Sequence, residues 1–498
     1  MDPDETPKTA FQKLQERLAA SRFFTVSLLL HLGIIIIGGG VVLFKQMSPP
    51  PDFDAGGDGL VGEEAATAGP AEPAPATEQM APQTPNLTAP SMEAITSLSA
   101  TPSFAVANVA PVSIAMPSES MAKVGASLGA KGLTGLPGSM NGRVGGTNRA
   151  AALKKNGGTE KSELAVLAGL RWLVKTQKSD GSWSDAHKPA MTGLALLSFL
   201  GHGETTVSAE FGPTVGRAVD WILDNGKKNS GRLSMEGSIS QEGSYSHGIV
   251  TYALGEYVAM TKDERAIDLF KQAIKYIVDG QGPDGGWMYN YNKEASDTSV
   301  TGWQIQALKA AYLSGYGEGV DVALDKAMGN LKRVQGPQGG FGYRGPADTY
   351  SLTGVGVLCT LFWKQEKDKS VNEGIKFMGS QLAANPVEYK HPTANLYAWY
   401  YNTQACLMFG EPAWSKWNGL FQNELIKNQA PDGSWPPMTE GSHGNLQKDE
   451  AGAGPYYRTT LCILMLESYY RYSPSLGGHG GSLLDKKAGS SLDKKPGA

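Results

Sequence analysis

An internal repeat running from about residue 162 constrains this chain more than any other feature. The clearest copies are GLRWLVKTQKSDGSW (169–183), AIKYIVDGQGPDGGW (273–287) and AMGNLKRVQGPQGGF (327–341). LFQNELIKNQAPDGSW (420–435) keeps the Gln, the turn and the Trp, while AVDWILDNGKKNSG (218–231) and GIKFMGSQLAANP (374–386) are degraded copies. The marker residues Gln177, Asn225, Gln281, Gln335, Gln381 and Gln429 recur every 46 to 56 residues and define six units. A period of that length belongs to a stack of supersecondary units, each too small to bury its own apolar face.

Within each unit a first helix is amphipathic, as in Ile267, Phe270, Ile274 and Ile277 or Leu324, Ala327, Leu331 and Val334, so one stripe faces inward. A Pro-Asp-Gly or Ser-Asp-Gly turn stops it, with Gly supplying positive φ. The second helix is apolar nearly all round, as in MTGLALLSFLG or TYSLTGVGVLCTLFW, and must be enclosed by other helices. Two concentric rings satisfy six such pairs, so the expected fold is all-α, an α/α toroid of six helical hairpins. An open solenoid is the rival and would leave one face of the second helices wet. No alternating run long enough for a sheet occurs, and GYGEGV (315–320) reads as a helix stop, not a phosphate loop.

The flanks differ in kind. All 10 Trp and 19 Tyr lie between Trp172 and Tyr472, so core-forming residues are confined there. Phe23 to Phe44 carries no formal charge and, at about 33 Å as a helix, is long enough to span a bilayer core. Lys8, Lys13, Arg17 and Arg22 precede it, while Lys45 is the only basic residue from there to Lys123. The positive-inside rule then places residues 1–22 in the cytoplasm and the remainder outside, periplasmic in a bacterial cell. This gives a single-pass anchor in the cytoplasmic (inner) membrane, with His31 reading as a neutral imidazole near the interface. Residues 45–161 are rich in Pro, Ala, Ser, Thr and Gly and read as a disordered spacer. Residues 162–472 are the repeat domain, and 473–498, with SLLDKKAGS followed by SLDKKPGA, read as a disordered tail.

A net charge of −4 and pI near 6.0 lack the electrostatic footprint of a nucleic-acid binder, so no nucleic-acid partner is expected. Cys359, Cys406 and Cys462 form no C-x-x-C and read as buried hydrophobes. No metal site or cofactor is expected, because the seven His stand at no ligand spacing.

The aromatic, Gln and Gly-x-Trp pattern from Trp172 to Trp183, from Tyr276 to Trp287 and in the copy ending at Trp435 resembles the QW repeat of squalene–hopene cyclases and related class II terpene cyclases. It is also similar to the toroid of protein prenyltransferase β subunits. The resemblance covers residues 162–472, one toroid. It implies structural roles for Gln177, Trp183, Gln281, Trp287, Gln335, Phe341, Gln429 and Trp435. The cyclase motif Asp-x-Asp-Asp-Thr, whose central Asp is the proton donor, corresponds here to Glu294-Ala295-Ser296-Asp297-Thr298, with Ser296 at the centre. Asp297 remains, and Asp348-Thr349 repeats its context; each reads as a candidate acid or as a helix N-cap. The Asp-x-Cys of a zinc prenyltransferase and the Cys-Gly-Glu-Gln of thioester toroids are missing. Tyr245-Ser246-His247 and Tyr456-Tyr457-Arg458 offer base and acid for a toroid-type lyase, or caps and packing.

In a closed ring the inner helices are expected to start at Thr192, His247, Asp297, Asp348, Thr393 and Arg458 and converge on one rim. Beneath it, Trp303, Tyr350, Trp399 and Tyr400 are expected to line a cavity for an apolar chain or to pack it shut, with His247 and Arg458 at the mouth. The sequence therefore points to a membrane-anchored protein that binds an apolar, isoprenoid or lipid-like ligand, or a protein partner, at the centre of the ring. The alternative is a class II isoprenoid cyclase or a lyase whose acid is Asp297 or Asp348.

Overall fold

A computed structural model describes residues 138–235, 242–364, 367–438 and 445–471. All fall in the second of the chain's two units, residues 54–498. The anchor at 23–44, most of the spacer and the tail after Ser473 lie outside the described residues. Among the described residues no helix is long and apolar enough to cross a membrane.

The described residues are helical, with isolated bridges at Gln335, Phe341, Ala347 and Thr349 in place of strands. We label the helices α1 (Gly146–Lys155), α2 (Glu160–Thr176), α3 (Lys188–Gly201), α4 (Gly212–Lys228), α5 (Glu242–Thr261), α6 (Glu264–Asp279), α7 (Thr298–Ser314) and α8 (Val320–Val334). They continue as α9 (Tyr350–Lys364), α10 (Lys369–Ser380), α11 (Leu396–Phe409), α12 (Ala413–Asn428), α13 (Asn445–Lys448), α14 (Gly454–Leu466) and α15 (Ser468–Arg471).

The two helix types segregate as their sequences require. In α6 only the stripe Ala266, Leu269, Phe270, Ala273, Ile274 and Ile277 is buried, whereas in α3 every residue from Pro189 to Gly201 is. The enclosed helices pack in the cyclic order α3, α5, α7, α9, α11, α14, and α14 returns to α3. The amphipathic helices lie outside them, α2 against α14 and α3, α8 against α7 and α9. This return is what an open solenoid lacks. At the predicted helix stop, Gly315 closes α7 in the left-handed region at φ 81°.

A repeated brace explains why Gln, Gly and Trp recur. Gln177, Gln281, Gln335 and Gln429 each donate Nε2–H both to a carbonyl of their own turn and to the next outer helix. The acceptors there are Thr214 O at 2.9 Å, Ala323 O at 2.8 Å, Ser370 O at 2.8 Å and Ala165 O at 2.8 Å. The last of these belongs to α2, so the final copy grips the first unit as the others grip their successors. Trp183, Trp287 and Trp435 are buried, and each indole donates to the preceding helix, at Leu173 O, Ile277 O and Leu425 O. Their backbone N–H groups donate to the hydroxyls of Thr192, Thr301 and Thr459 on the inner helices, and that of Phe341 to Thr353. An inner-helix Thr is thus a further member of the repeat, one that sequence reading did not single out.

Two expectations are corrected. The enclosed helices α3, α5 and α14 begin at Lys188, Glu242 and Gly454, so Thr192, His247 and Arg458 lie within their helices and not at the starts. Thr192 and His247 are placed there because the brace needs a side chain facing the preceding turn, and Arg458 directly precedes the brace residue Thr459. Helical structure also begins ahead of residue 162: a 3₁₀ turn at Gly138–Arg143 and α1 belong to the folded part. Residues 138–155 carry no apolar stripe, and polar contacts hold them to the ring, which is why periodicity missed them.

One of those contacts titrates. His202, after α3, is buried with Nδ1 2.7 Å from Glu204 and Nε2 3.1 Å from Glu163 of α2. Arg149 of α1 pairs with Glu163 at 3.0 Å and donates to His202 O at 2.8 Å. Burial and Arg149 push the imidazole pKa down, but the two carboxylates outweigh them and leave it above its ordinary 6.5. Burial would raise Glu163 and Glu204, yet His202 brings both below 4.5. A raised imidazole contributes stability that is full below 6.5 and fades as pH rises through its folded value; lowered carboxylates lose theirs only in acid. We expect the melting-temperature gap between the wild type and His202→Gln to be widest near pH 5 to 6 and to shrink towards pH 9. A gap that widens with pH would reverse this assignment.

Candidate functional site

Asp297 caps α7 and is fully buried. Its Oδ1 accepts the N–H groups of Ser299 at 2.7 Å and Val300 at 3.0 Å, meeting the donors every helix start leaves open. On the other oxygen, Oδ2 accepts Tyr289 O–H at 2.8 Å. Tyr343 joins through a hydroxyl contact to Tyr289, and Tyr245 OH lies 2.6 Å from Ser299 Oγ. Burial raises the Asp297 carboxyl pKa above its ordinary 3.8, partly countered by hydrogen bonds from Ser299, Tyr343, Val300 and Tyr289. The result is a carboxyl that keeps its proton to higher pH than an exposed Asp. Around it Tyr343, Arg344 and Tyr397 are only part-buried, and the Arg344 guanidinium sits 5.4 Å over the Tyr343 ring.

Ser296, at the centre of the cyclase-like segment, faces elsewhere. Its hydroxyl donates to Asp284 of the Pro-Asp-Gly turn at 2.7 Å and accepts Asn330 Nδ2–H at 2.8 Å and Arg333 Nη2–H at 3.1 Å. It therefore ties that turn to α8. Asp348 is also engaged in a turn. Three copies of the repeat carry Asp180, Asp284 or Asp432, which accept the N–H two residues on. The fourth copy, marked by Gln335, has Gln338 there, and Asp348 supplies the acceptor instead, for Gly340 N–H at 2.8 Å and Gln338 N–H at 3.1 Å.

His247 takes the Thr position of the brace in the degraded second copy. Its Nδ1 accepts Leu233 N–H at 2.9 Å, which leaves the proton on Nε2, 3.0 Å from Ala273 O. Burial is the main cause lowering its pKa to about 4, so the ring is neutral. Arg458 is buried and donates to Trp435 O at 3.1 Å, Leu446 O at 3.1 Å and Asp449 O at 2.6 Å, binding the connection between α12 and α14.

Of the aromatics expected around a cavity, Trp303, Trp399 and Tyr400 are fully buried and Tyr350 is part-buried. The Trp303 ring of α7 stacks on Tyr400 of α11 at 5.8 Å and meets Tyr401 edge-on at 5.7 Å. Gln306 Nε2–H donates to Tyr401 OH at 3.0 Å. Helices α7 and α11 are not ring neighbours, so these contacts fill the interior below Asp297 and do not leave it open. Cys359, Cys406 and Cys462 are free and buried; burial raises all three thiols, Cys406 to about 12, which removes their thiolates at neutral pH. Among the described residues no group of three or more His, Cys, Asp or Glu is placed to hold a metal ion.

Sequence reading found Asp297 but not Tyr289, Tyr343 and Tyr397. These come from two turns and an inner helix in three different units, and nothing periodic links them.

No protein-family model matches this chain, and no curated protein matches it. Similar solved structures include the type II terpene cyclase MstE from Scytonema, at 15% identity and TM-score 0.45, over 62% of this chain and 97% of that one. The GH76A α-1,6-mannanase from Salegentibacter sp. HEL1_6 is similar at 12% identity and TM-score 0.48, over 62% and 99%. Cellobiose 2-epimerase from Spirochaeta thermophila DSM 6192 follows at 13% identity and TM-score 0.47, over 65% and 98%. All three are α/α toroids. The likeness to squalene–hopene cyclases in particular rests on the repeat residues.

Proposed function

We propose that this chain is a recognition toroid of six hairpins, held to the cytoplasmic membrane by residues 23–44 with its ring outside. It takes an apolar, isoprenoid or lipid-like ligand, or a protein partner, at the rim around Asp297. The observation that carries this reading is the part-buried set Tyr343, Arg344 and Tyr397 around a buried, hydrogen-bonded carboxyl. Aromatic faces with a few fixed polar groups suit an apolar ligand with a polar end. The Trp303–Tyr400 stack below supports a ligand held at the mouth and not threaded through the ring.

The full chain, purified in detergent after exposure to membrane lipid, is expected to carry a bound isoprenoid or lipid detectable by mass spectrometry. Tyr343→Ala and Tyr397→Ala should reduce retention at least about tenfold, the size expected when a contact of about 1.4 kcal/mol is lost. Equal retention by both variants would overturn the rim as the site.

A second reading has its own support. A buried Asp297 with a raised pKa is the form a proton donor takes, as in a class II cyclase or a lyase. The turn contacts of Asp348 favour Asp297 over Asp348 for that role. Turnover of a linear polyprenyl substrate that vanishes in Asp297→Asn would establish it.

A further inference from the structure

The end of the ring opposite Asp297 is closed by residues outside the repeat, and the manner of closure is specific. Arg143 is 1% exposed, Glu256 of α5 is 2% exposed and Arg471 of α15 is 0% exposed, so their charges meet in the interior. The Arg143 guanidinium donates Nη1–H to Glu256 Oε2 at 2.7 Å and Nη2–H to Oε1 at 3.3 Å, the two-pronged arrangement a carboxylate makes with arginine but not with lysine. Its Nε–H donates to Arg471 O at 2.9 Å, and Nη1–H also approaches Leu200 O at 3.5 Å.

Where this segment docks, backbone approaches backbone closely on either side of Arg143. Gly203 has φ +90°, and a Cβ there would lie 2.3 Å from Arg143 O. A Cβ on Gly142 would lie 2.6 Å from Tyr470 O. Apolar attachment of the same segment is thin. Of residues 138–155, Met140 is the only apolar side chain that is fully buried, with Ala152 and Leu153 packed against the core at its edge. A buried ion pair fixes register far more than it adds net stability. A segment held mainly by guanidinium contacts, Arg143 here and Arg149 at Glu163, can therefore leave without tearing apolar core apart.

We propose that the base of the ring is a guanidinium-binding socket, built from Glu256 and the carbonyls of Arg471 and Leu200, and that Arg143 occupies it as a replaceable ligand. Residues 138–155 are then a stopper. An alkylguanidinium, or the arginine of another chain, competes for the same socket.

The test uses the full chain in detergent and hydrogen–deuterium exchange. Ethylguanidinium, well below denaturing concentration, should speed exchange of the 138–155 amides about tenfold while α5 and α7 exchange as before. Ethylammonium at equal ionic strength should do nothing. No acceleration, acceleration throughout the ring, or an equal response to ethylammonium would each overturn the proposal. In Arg143→Ala, ethylguanidinium should raise the melting temperature saturably, an effect expected neither in the wild type nor in Arg143→Ala combined with Glu256→Gln. If Arg143→Ala does not fold, the wild-type competition decides alone.

Discussion

Glu256→Gln should destabilise the ring by about 3–5 kcal/mol, because it removes the carboxylate that pairs with both Arg143 and Arg471 and leaves beside them only Glu467, whose carboxyl pKa is held by burial well above its ordinary 4.5. The shape of the side chain is preserved, so the loss reports charge, not packing. Burial by itself would raise the Glu256 pKa, but Arg143 and Arg471 bring it to about 2. A carboxylate lowered in this way contributes stability above its ordinary 4.5 that is lost as pH falls towards about 2. The difference between wild type and Glu256→Gln, read from urea midpoints, should therefore narrow across that window. By contrast, Asp220 and Arg265 form a pair whose side chains are 60% and 58% exposed, and removing it should cost under about 1 kcal/mol. Equal losses from the two pairs, or a gap that widens in acid, would show that Glu256 is not the countercharge described.

The second large effect belongs to the seam. Gly433 has φ +98°, and a Cβ there would sit 2.3 Å from Ala168 O in α2. The equivalent positions Gly181 and Gly285 approach Arg217 O and Lys326 O in the same way. Gly433→Ala should cost at least about 1–3 kcal/mol from backbone conformation alone, with the clash against α2 added to it. Gly329, inside α8 with nothing within 4 Å of its missing Cβ, is the control: Gly329→Ala should stabilise by about 0.4–1 kcal/mol. Thermal unfolding of the two variants side by side would check both signs. A neutral Gly433→Ala would mean that α12 and α2 are not joined as described.

What was legible in the sequence was whatever the chain repeats. Gln177, Gln281, Gln335 and Gln429 could be picked out because each makes the same two hydrogen bonds, and the same bonds demand the same residue. The Thr partners escaped notice because a lone Thr inside an apolar helix carries no signal until its neighbour in space is known. His247 reads from sequence as an inner-helix start, and Asp348 as a candidate acid because Asp348-Thr349 repeats Asp297-Thr298. In the fold they replace a Thr and a turn Asp that their own copies lack. The tyrosines around Asp297 and the stopper at 138–155 were illegible for the opposite reason. Each depends on long-range contacts between single residues, Tyr289 with Tyr343 or Arg143 with Glu256, and one sequence holds no record of such pairs.

The hydrogen bond from Gln429 to Ala165 spans 264 residues of chain, so it also sets a timetable. On the ribosome the first outer helix emerges long before its partner exists, and one flank of α2 must wait through the synthesis of every later unit. Until the last hairpin arrives the nascent chain is an unfinished arc with sticky ends, the stage at which two such arcs could exchange halves. Chaperone attendance, or slow synthesis across the final copies, would matter most at that moment.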